Sequence, residues 1–546
     1  MPQTHEVTNQ VPPHHGYDAA ADPALLEALA REGAAWAAPE LHRLGVLAGS
    51  EQAAEWGRLA NENPPVLRTH DRYGHRIDEV EFHPHWHELM RTAVGHGLHA
   101  APWAQDQDTP GAHVARAAKF LVWSQVEAGH TCPVSMTYAA VPALRAAPDL
   151  AAWLEPLLAS RTYDFGLRRP DTKRGLIAGM SMTEKQGGSD VRANTTTAVP
   201  AGDGTYRLTG HKWFTSAPMS DVFLTLAQAP GGLSCFLLPR VLPDGSRNRL
   251  LLQRLKDKLG NKSNASAEIE YDEAFGWLVG EEGRGVATII EMVNMTRLDC
   301  VLGGASGMRL GLIRAVHHAT HRRAFGKALV DQPLMRNVLA DLALESEAAT
   351  AVALRLAGAT DRVARGDGDE ALLRRIGLAV TKYWVCKRAP GHAAEALECL
   401  GGNGYIEDSG MPRLYREAPL SSIWEGSGNV AALDSLRAMA RQPDTVEAFF
   451  AEVGRAGGAD RHLDAAVAGL HKQLADPAEA EYRARQLTET MALVLQAALL
   501  QQHAPAAVAD AFCASRLGGE HGGAYGTLPT GVDTEAILGR ARTVTV

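Results

Sequence analysis

The segment MTEKQGGSDV, residues 182–191, marks the point where the sequence pattern of this chain changes from helical to β-prone. Before it, from Pro23 to about Arg174, the sequence is rich in Ala and Leu at helical spacing, and an Asp-Pro pair opens the first run. After it, the segments TYRLTG, DVFLTLAQ, LSCFLLPR and ASAEIEYDEA are short, β-prone and separated by Gly, Pro or Asp. This pattern predicts a helical N-terminal region followed by a β-domain over about residues 180–282.

A helical sequence pattern resumes at Gly285. The run 286–323 contains no proline and would extend about 57 Å as one helix. Amphipathic runs follow it, and Pro443 marks a boundary before an Ala- and Leu-rich tail. We therefore expect an α+β protein of four parts: an N-terminal helical domain (1–179, opening with an extended arm over 1–18), a middle β-domain (180–284), a helical domain (285–440) and an additional helical C-terminal domain (441–546).

Composition and charge restrict the function. The chain has 546 residues, of which 45% are hydrophobic and 21% charged, as in ordinary globular proteins. Its formal net charge of −9 disfavours general binding to nucleic acid or anionic membranes, which requires basic surface. Six scattered cysteines without a C-x-x-C pair argue against a zinc cage or a disulfide framework. With a polar N-terminus and no apolar run of about 20 residues, we expect a cytoplasmic protein.

Two motifs lie in the β-prone half. In residues 182–191, two glycines followed by Ser and Asp indicate a tight turn suited to a phosphate or a flavin edge, or else a polar surface loop. In GHKWFTSAP, residues 210–218, a Trp-Phe pair beside Thr and Ser offers a platform for a flat heteroaromatic ring. The alternative there is a half-buried strand end.

Two further motifs lie in the helical half. In RRAFGKALVDQPL, residues 322–334, Arg322 could contact a phosphate, or the segment could be an ordinary helix–helix turn. The G-G-N-G run in ECLGGNGYIEDSG, residues 398–410, resembles a phosphate loop but follows no strand. A helix C-cap explains it equally well.

The last motif is LYREAPLSSIWEGSGNVAALDSLR, residues 414–437. Glu425, between Trp424 and Gly426, is a candidate catalytic base, because burial moves the pKa of a carboxyl towards working pH. A helix-capping glutamate is the alternative. In FHPHWH, three alternating histidines at 83, 85 and 87 would share one face of a strand, but no acidic or cysteine ligand follows. We assign no metal site there or to the histidines at 317, 318 and 321, for which solvent or a helix partner is expected.

Taken in order, five motifs resemble the acyl-CoA dehydrogenase superfamily over about residues 175–440. They are M-T-E-x-x-x-G-S-D, G-x-K-x-F-x-S, R-x-x-F-G-K…Q, L-G-G-N-G-Y and W-E-G-S-G-N. The full sequences of the segments MTEKQGGSDV and RLYREAPLSSIWEGSGN, together with the long tail beyond residue 440, resemble more narrowly the AidB branch. Members of this branch are flavoproteins associated with the bacterial alkylation response. The resemblance implies a helical domain, a β-domain, a four-helix bundle and an extra helical domain. It also implies FAD between the β-domain and the bundle, and a homotetramer in which a neighbouring subunit helps to hold the FAD.

The resemblance also implies roles for individual residues. Thr183 would contact the isoalloxazine ring, Ser189 the pyrophosphate, and Ser216 the N5 edge. The ring would pack on Phe214, while Ser427 and Asn429 would lie near the flavin. Arg322, Phe325 and Gln332, with Gly401 and Gly402, would hold the adenosine diphosphate half. The implied cofactor-binding residues are Met182, Thr183, Gly188, Ser189, Phe214, Ser216, Arg322, Phe325, Gln332, Gly401, Gly402, Trp424, Ser427 and Asn429.

In the chemistry that the resemblance implies, Glu425 removes the proton alpha to a thioester carbonyl while a hydride leaves the beta carbon for flavin N5. The Glu425 N–H and a flavin ribityl hydroxyl would stabilise the thioester oxygen. The departures from the family pattern that matter most concern the residues that would bind the substrate. Trp424 replaces a usual Tyr and would narrow the acyl slot, and Asn294 replaces an Asp three residues before Arg297, which would meet CoA. Milder changes at the flavin are Phe214 for Trp and Ser216 for Thr.

Three functions follow as hypotheses. The first is dehydrogenation of a short or branched acyl-CoA, with electrons passed to an electron-transfer flavoprotein. The second, which the AidB resemblance implies, is a protective, DNA-binding flavoprotein of the alkylation response and of DNA repair with weak dehydrogenase activity. Residues 441–546 carry nine Lys/Arg against thirteen Asp/Glu, a net of −4, which counts against DNA binding through that region. The third is a flavin oxidase or monooxygenase acting on nitroalkanes or alkylating agents. Relatives with nitroalkane chemistry use Asp as the base, so Glu425 counts modestly against this hypothesis.

Overall fold

The computed structural model describes residues 4–104 and 109–546, so the first three residues of the expected N-terminal arm lie outside the described residues. The α-helices are α1 Pro23–Arg31, α2 Ala38–Ala48, α3 Glu51–Glu62, α4 Pro84–Gly95, α5 Ala112–Trp123, α6 Thr131–Leu144, α7 Pro148–Leu158, α8 Gly285–His321, α9 Pro333–Ala364, α10 Gly368–Glu398, α11 Met411–Glu417, α12 Gly428–Arg441, α13 Asp444–Gly454, α14 Arg461–Ala475, α15 Ala484–His503, α16 Ala506–Phe512 and α17 Thr534–Ala541.

The strands fall mainly in the predicted β-region. They are β1 Tyr17–Asp18, β2 Val66–His70, β3 Arg76–Glu81, β4 Ala178–Ser181, β5 Thr197–Pro200, β6 Thr205–Ser216, β7 Val222–Ala229, β8 Gly232–Pro239, β9 Leu250–Leu255, β10 Ser266–Val279, β11 Arg323–Ala324, β12 Lys327–Ala328 and β13 Val544–Thr545. The four segments that the sequence predicts as strands are β6, β7, β8 and β10, so that prediction is confirmed.

The chain divides into two compact units. One contains Met1–Glu51, His113–Gln125 and Cys300–Val546, and the other contains Gln52–Ala112 and Val126–Asp299. Helix α8 runs unbroken from Gly285 to His321, as its proline-free sequence predicts. Within residues 4–104 and 109–546, no helix combines the length and the apolar character that a bilayer crossing requires.

The unit that contains residues 126–299 is built around a seven-stranded sheet. Its path runs β4-β7-β5-β6-β10-β8, β9 pairs with β10, and β7 also pairs with β8. The pairings β7–β5, β5–β6, β6–β10, β10–β8 and β8–β7 close a ring of strands, so the inner face forms a core without a free edge there. Leu208, Phe223, Phe236, Leu252 and Ile269 are buried in this core.

The same unit corrects two expectations about the N-terminal region. Strands β2 and β3 form an antiparallel hairpin, with Val66 opposite Glu81, inside the stretch that we expected to be helical throughout. The histidines at 83, 85 and 87 do not lie on a strand, because Pro84 begins α4 and His83 is its N-cap. Among the described residues no group of three or more His, Cys, Asp or Glu side chains could hold a metal ion.

The other unit is mainly helical. Helix α10 packs against α9, α12, α13 and α15, so helices before and after residue 440 share one core. Asp22 caps α1 by accepting from the Ala24 N–H at 3.1 Å, as the Asp-Pro pair predicts. Near the two ends of the chain, β1 pairs with β13, with Tyr17 opposite Thr545.

Candidate active site

The turn that follows β4 carries four of the predicted cofactor-binding residues. Glu184 and Gly187 bond each other through their backbones at 3.2 and 3.1 Å, which makes the turn tight. A β-carbon on Gly188 would lie 2.5 Å from Thr183 Oγ1, so a larger residue here would have to displace the Thr183 side chain. Met182 and Thr183 are half-buried and Ser189 is exposed. The turn therefore presents a hydroxyl and glycine backbone to a ligand.

Strand β6 brings the second motif beside the first. The Trp213 N–H donates to the Thr183 carbonyl at 2.8 Å. Phe214, the next residue, leaves 48% of its side chain exposed, whereas Ser216 is buried. An aromatic ring half open to solvent beside a turn of this kind fits a flat ring system. The two sequence motifs are thus neighbours in this unit, and their contact with a flavin stays a prediction.

A buried ion pair that the sequence analysis did not single out holds these two motifs. Lys212 Nζ lies 2.8 Å from Glu184 Oε1, and both side chains are fully buried. Glu184 also accepts the Thr195 N–H at 2.7 Å and the Thr196 N–H at 3.2 Å. Burial acts to raise the pKa of Glu184, but the bonds from Lys212 and these neighbours outweigh it and hold the pKa well below its usual range.

The predicted CoA-binding residues lie on α8 in this same unit. Asn294 and Arg297 are three residues apart and therefore lie on one face of the helix. Asn294 is half-buried, and Arg297 is 6% exposed. Their role towards CoA stays a prediction.

In the other unit, Glu425 lies in a loop between a 3₁₀ helix, Leu420–Ser422, and α12. Its φ is +56°, in the left-handed region that non-glycine residues rarely adopt, and Gly426 follows with φ +104°. Trp424 and Glu425 are half-buried, and the Oε2 atom of Glu425 is buried. Ser427, two residues after Glu425, is the N-cap of α12.

The start of α12 fits a negatively charged group. Ser427 is exposed and its side chain caps no backbone N–H of the helix. A β-carbon on Gly428 would lie 2.7 Å from Lys387 Cε and 3.7 Å from Arg485 Nη2, and Arg485 Nε donates to Asn429 Oδ1 at 2.8 Å.

In the part of the chain that the structure describes, neither cation at the start of α12 has a carboxylate within 4.0 Å. Two cations at a helix N-terminus repel its dipole, so an anion would be stabilised there. The donor set at the start of α12 therefore fits a negatively charged group of FAD. In the other unit, the half-exposed ring of Phe214 fits an aromatic ring system. Sequence patterns gave no signal for Lys387 or Arg485.

The RRAFGK motif forms a two-residue hairpin, β11–β12, rather than a helix–helix turn. Phe325 and Gly326 at its tip have φ values of +50° and +79°, and Phe325 is 98% exposed. Gln332 Nε2 donates to the Ala324 carbonyl at 3.2 Å and so braces the hairpin. Arg322 Nη1 donates to the Asn9 carbonyl at 2.5 Å, which ties the N-terminal arm to this motif.

The glycine run after α10 forms a 3₁₀ helix, Gly401–Tyr405. The C-cap of α10 is Cys399, so the glycine run lies beyond the cap; Gly401 has φ +59°, and Gly401 and Gly402 are both exposed. Tyr405 is 83% exposed. The segment is open to a ligand or to another subunit.

Family models match most of the chain. Residues 9–165 match the adaptive response protein AidB N-terminal domain, residues 179–274 the acyl-CoA dehydrogenase middle domain, and residues 283–440 the acyl-CoA dehydrogenase C-terminal domain.

Individual relatives agree with the family models. The chain is 48% identical to Escherichia coli (strain K12) AidB over 517 residues, 94% of each chain. It is 32% identical to acyl-CoA dehydrogenase family member 11 of Caenorhabditis elegans over 481 residues, 82% of this chain and 77% of that one. The crystal structure of Caenorhabditis elegans ACDH-11 in complex with C11-CoA matches with a TM-score of 0.86 at 29% identity, over 94% of this chain and 92% of that one.

These matches confirm the acyl-CoA dehydrogenase-like fold predicted from the sequence: a helical N-terminal domain of the AidB type, a middle β-domain and a C-terminal helical domain. They also confirm the cofactor, FAD. The chain belongs to the acyl-CoA dehydrogenase family, in its AidB branch, and is an FAD-dependent oxidoreductase.

Proposed function

We propose that this protein catalyses the α,β-dehydrogenation of a short or branched acyl-CoA thioester with Glu425 as the base. The observation that carries the proposal is the backbone of Glu425. A left-handed conformation costs an L-residue about 1–2 kcal/mol, and Glu425 adopts it between half-buried Trp424 and Gly426. Strain of this kind is retained where the surroundings require the conformation, most often at functional sites.

The chain's own residues would divide the work as follows. The Glu425 carboxylate takes the proton from the carbon alpha to the thioester carbonyl, and its backbone N–H stabilises the charge that develops on the carbonyl oxygen. Trp424 narrows the space for the acyl chain, and Asn294 and Arg297 would contact the CoA moiety. When bound, FAD would supply the two-electron acceptor for the hydride that leaves the beta carbon.

Residues from several of the sequence motifs would hold FAD. Thr183, Ser189, Phe214 and Ser216 come from the β-domain motifs. Ser427 and Asn429, beside Lys387 and Arg485, offer hydrogen bonds and positive charge. Arg322, Phe325, Gln332, Gly401 and Gly402 would hold the adenosine diphosphate half from hairpin β11–β12 and the glycine run, and the other predicted contacts are Met182, Gly188 and Trp424.

The substrate class is supported by one relative's bound ligand. Caenorhabditis elegans ACDH-11 is described in complex with C11-CoA, and it shares 29% of its sequence with this chain. We therefore infer that the ligand here is an acyl-CoA thioester. Trp424 in place of the family's usual Tyr favours a smaller acyl group than an undecanoyl chain.

We propose a cytoplasmic homotetramer that passes its electrons to an electron-transfer flavoprotein. Exposed apolar side chains support the assembly: Phe325 is 98% exposed, Tyr405 83%, Leu334 81% and Ile423 62%. Phe and Tyr are enriched in protein–protein interfaces, so the exposed rings of Phe325 and Tyr405 are candidate subunit contacts.

DNA binding through residues 441–546 is less well supported. The region has a net charge of −4. Several of its arginines are engaged in ion pairs, including Arg455 with Glu452 at 2.9 Å and Arg540 with Glu27 at 2.7 Å. Arginines held by carboxylates leave little basic surface for phosphates.

The test is anaerobic mixing of the FAD-bound protein with butyryl-, isovaleryl-, octanoyl- and undecanoyl-CoA while flavin absorbance is recorded. Bleaching by the short or branched thioesters, faster than by undecanoyl-CoA, supports the proposal. No bleaching by any thioester would overturn it. Oxygen consumption with nitroalkanes instead would favour the oxidase alternative, and salt-sensitive DNA binding by the FAD-bound protein would favour the protective one.

A further inference from the structure

A lysine buried in α10 reaches the loop that carries Glu425. Lys382 is 1% exposed. Its Nζ donates to the Gly426 carbonyl in a short hydrogen bond and to the Ser422 carbonyl at 3.4 Å. The two carbonyls lie on either side of Glu425 in the sequence, so one amino group bridges the two ends of the loop.

The position of this lysine is not explained by an ion pair. In the described ranges 4–104 and 109–546, no carboxylate oxygen lies within 4.0 Å of Lys382 Nζ. Other buried lysines of this protein do have such partners: Lys173 pairs with Asp221, and Lys212 with Glu184. A buried ammonium without a carboxylate costs stability, which a role in the loop would explain.

The loop needs such a bond. On its N-terminal side, the Ile423 and Trp424 N–H groups donate to the Leu420 carbonyl at 2.9 and 3.0 Å, which ends the 3₁₀ helix. Glu425 and Gly426 then both take positive φ values, outside any repeating hydrogen-bond pattern. Lys382 supplies donors to this irregular stretch from a rigid helix, so it restrains the backbone that directs the Glu425 side chain.

We propose that Lys382 is a positioning residue for Glu425: its ammonium group fixes the carbonyls of Ser422 and Gly426 and so holds the left-handed backbone of the base. The proposal rests on the proposed function. It concerns the conformation of the loop and therefore has a readout that does not depend on turnover.

The experiment compares the wild-type holoprotein with Lys382→Met, which keeps the length of the apolar stem and removes the donors. Amide hydrogen exchange in residues 420–428 should speed up about tenfold, because the loop opens locally. Flavin reduction at saturating butyryl-CoA should slow by about a hundredfold, as a displacement of about 1 Å can produce. The KM should change much less, and bound FAD should stay constant.

Lys382→Arg should restore part of the exchange protection and of the rate, since it keeps a charged donor. Lys173→Met is the control: it removes another buried lysine, which bonds the Gly166 carbonyl at 3.1 Å and pairs with Asp221, far along the chain from residues 420–428. Exchange in residues 420–428 should stay at the wild-type level in that variant.

Unchanged exchange in residues 420–428 of Lys382→Met, or an equal increase in Lys173→Met, would overturn the proposal. If Lys382→Met does not fold, Lys382→Gln, which loses the charge and keeps one donor group, takes its place, and smaller changes in the same direction are expected. Glu425→Gln is measured in parallel. If it reduces at the wild-type rate, the assignment of the base fails, while the exchange result still decides whether Lys382 holds the loop.

Discussion

Lys212 and Glu184, which are 28 residues apart in the sequence, form an ion pair of 2.8 Å in which both side chains are fully buried. Each belongs to one of the two motifs that the sequence assigns to the flavin. The Lys212 ammonium also donates to the Leu226 carbonyl at 2.8 Å and so reaches the neighbouring strand β7. The pair therefore fixes the turn after β4 against the end of β6.

Removing one partner of this pair should be strongly destabilising. In Glu184→Gln, the Lys212 ammonium would remain buried without a counter-charge, and we expect a loss of about 3–5 kcal/mol in the free energy of unfolding. The pKa of Glu184 is lowered in the folded state, so its contribution is present above its ordinary value of 4.5 and is lost as the pH falls below that value. Urea unfolding at neutral and acid pH checks this: the difference from wild type should shrink in acid. Glu281→Gln, at an exposed position, is the control. If the loss of unfolding free energy in Glu184→Gln is the same at neutral and acid pH, the assigned ion pair of Glu184 is wrong.

Replacing Glu425 should separate stability from catalysis. Glu425→Gly removes the β-carbon from a left-handed backbone, so we expect the protein to gain about 1 kcal/mol in unfolding free energy over Glu425→Ala, which keeps the β-carbon. Both variants should lose about 10²–10⁴ in the rate of flavin reduction by a thioester, because both lack the base. Denaturant unfolding and anaerobic reduction check the two effects. Equal stability of the Gly and Ala variants would show that the loop is not strained at this residue.

A buried histidine should make stability depend on pH. Burial lowers the pKa of His392 to about 4 from its ordinary value of 6.5, while Nε2 bonds the Leu342 carbonyl at 3.1 Å. In the unfolded chain the ring takes up a proton below pH 6.5, and in the folded protein only below about 4. The contribution of His392 to the free energy of unfolding is therefore fully present above pH 6.5, and it falls by about 3 kcal/mol as the pH drops to 4. His392→Gln should flatten the pH dependence of urea unfolding in this window, and an unaltered slope would contradict the prediction.

The exposed ring at the tip of hairpin β11–β12 should matter to assembly and cofactor retention, and little to the fold of one chain. Phe325 is 98% exposed, so Phe325→Ser should change the unfolding free energy by no more than about 0.5 kcal/mol. If another subunit or FAD covers the ring, the same change should weaken subunit association and FAD retention. Analytical ultracentrifugation and the ratio of flavin to protein absorbance measure these. Tyr73→Ser, at a ring 69% exposed, is the control; equal effects of the two changes would contradict a specific role.

The sequence by itself determined the order of helical and β-regions, since the spacing of apolar residues depends on neighbours only a few positions away. It predicted four of the strands, the unbroken helix α8 and the cap at Asp22, all of which are local features. The ordered motifs were sufficient for the family and for FAD. The hairpin β2–β3 was missed, because Ala- and Leu-rich segments on both sides dominate the pattern.

The tertiary structure alone decided which distant residues meet. Nothing near Lys382 in the sequence indicates that its amino group lies at the carbonyl of Gly426, or that Arg485 bonds Asn429. The left-handed backbone of Glu425 could not be foreseen either, because residues other than glycine adopt it only when their surroundings enforce it. Charges that are far apart in the chain and adjacent in space carry no periodic signal, so their partners become known only once the chain has folded.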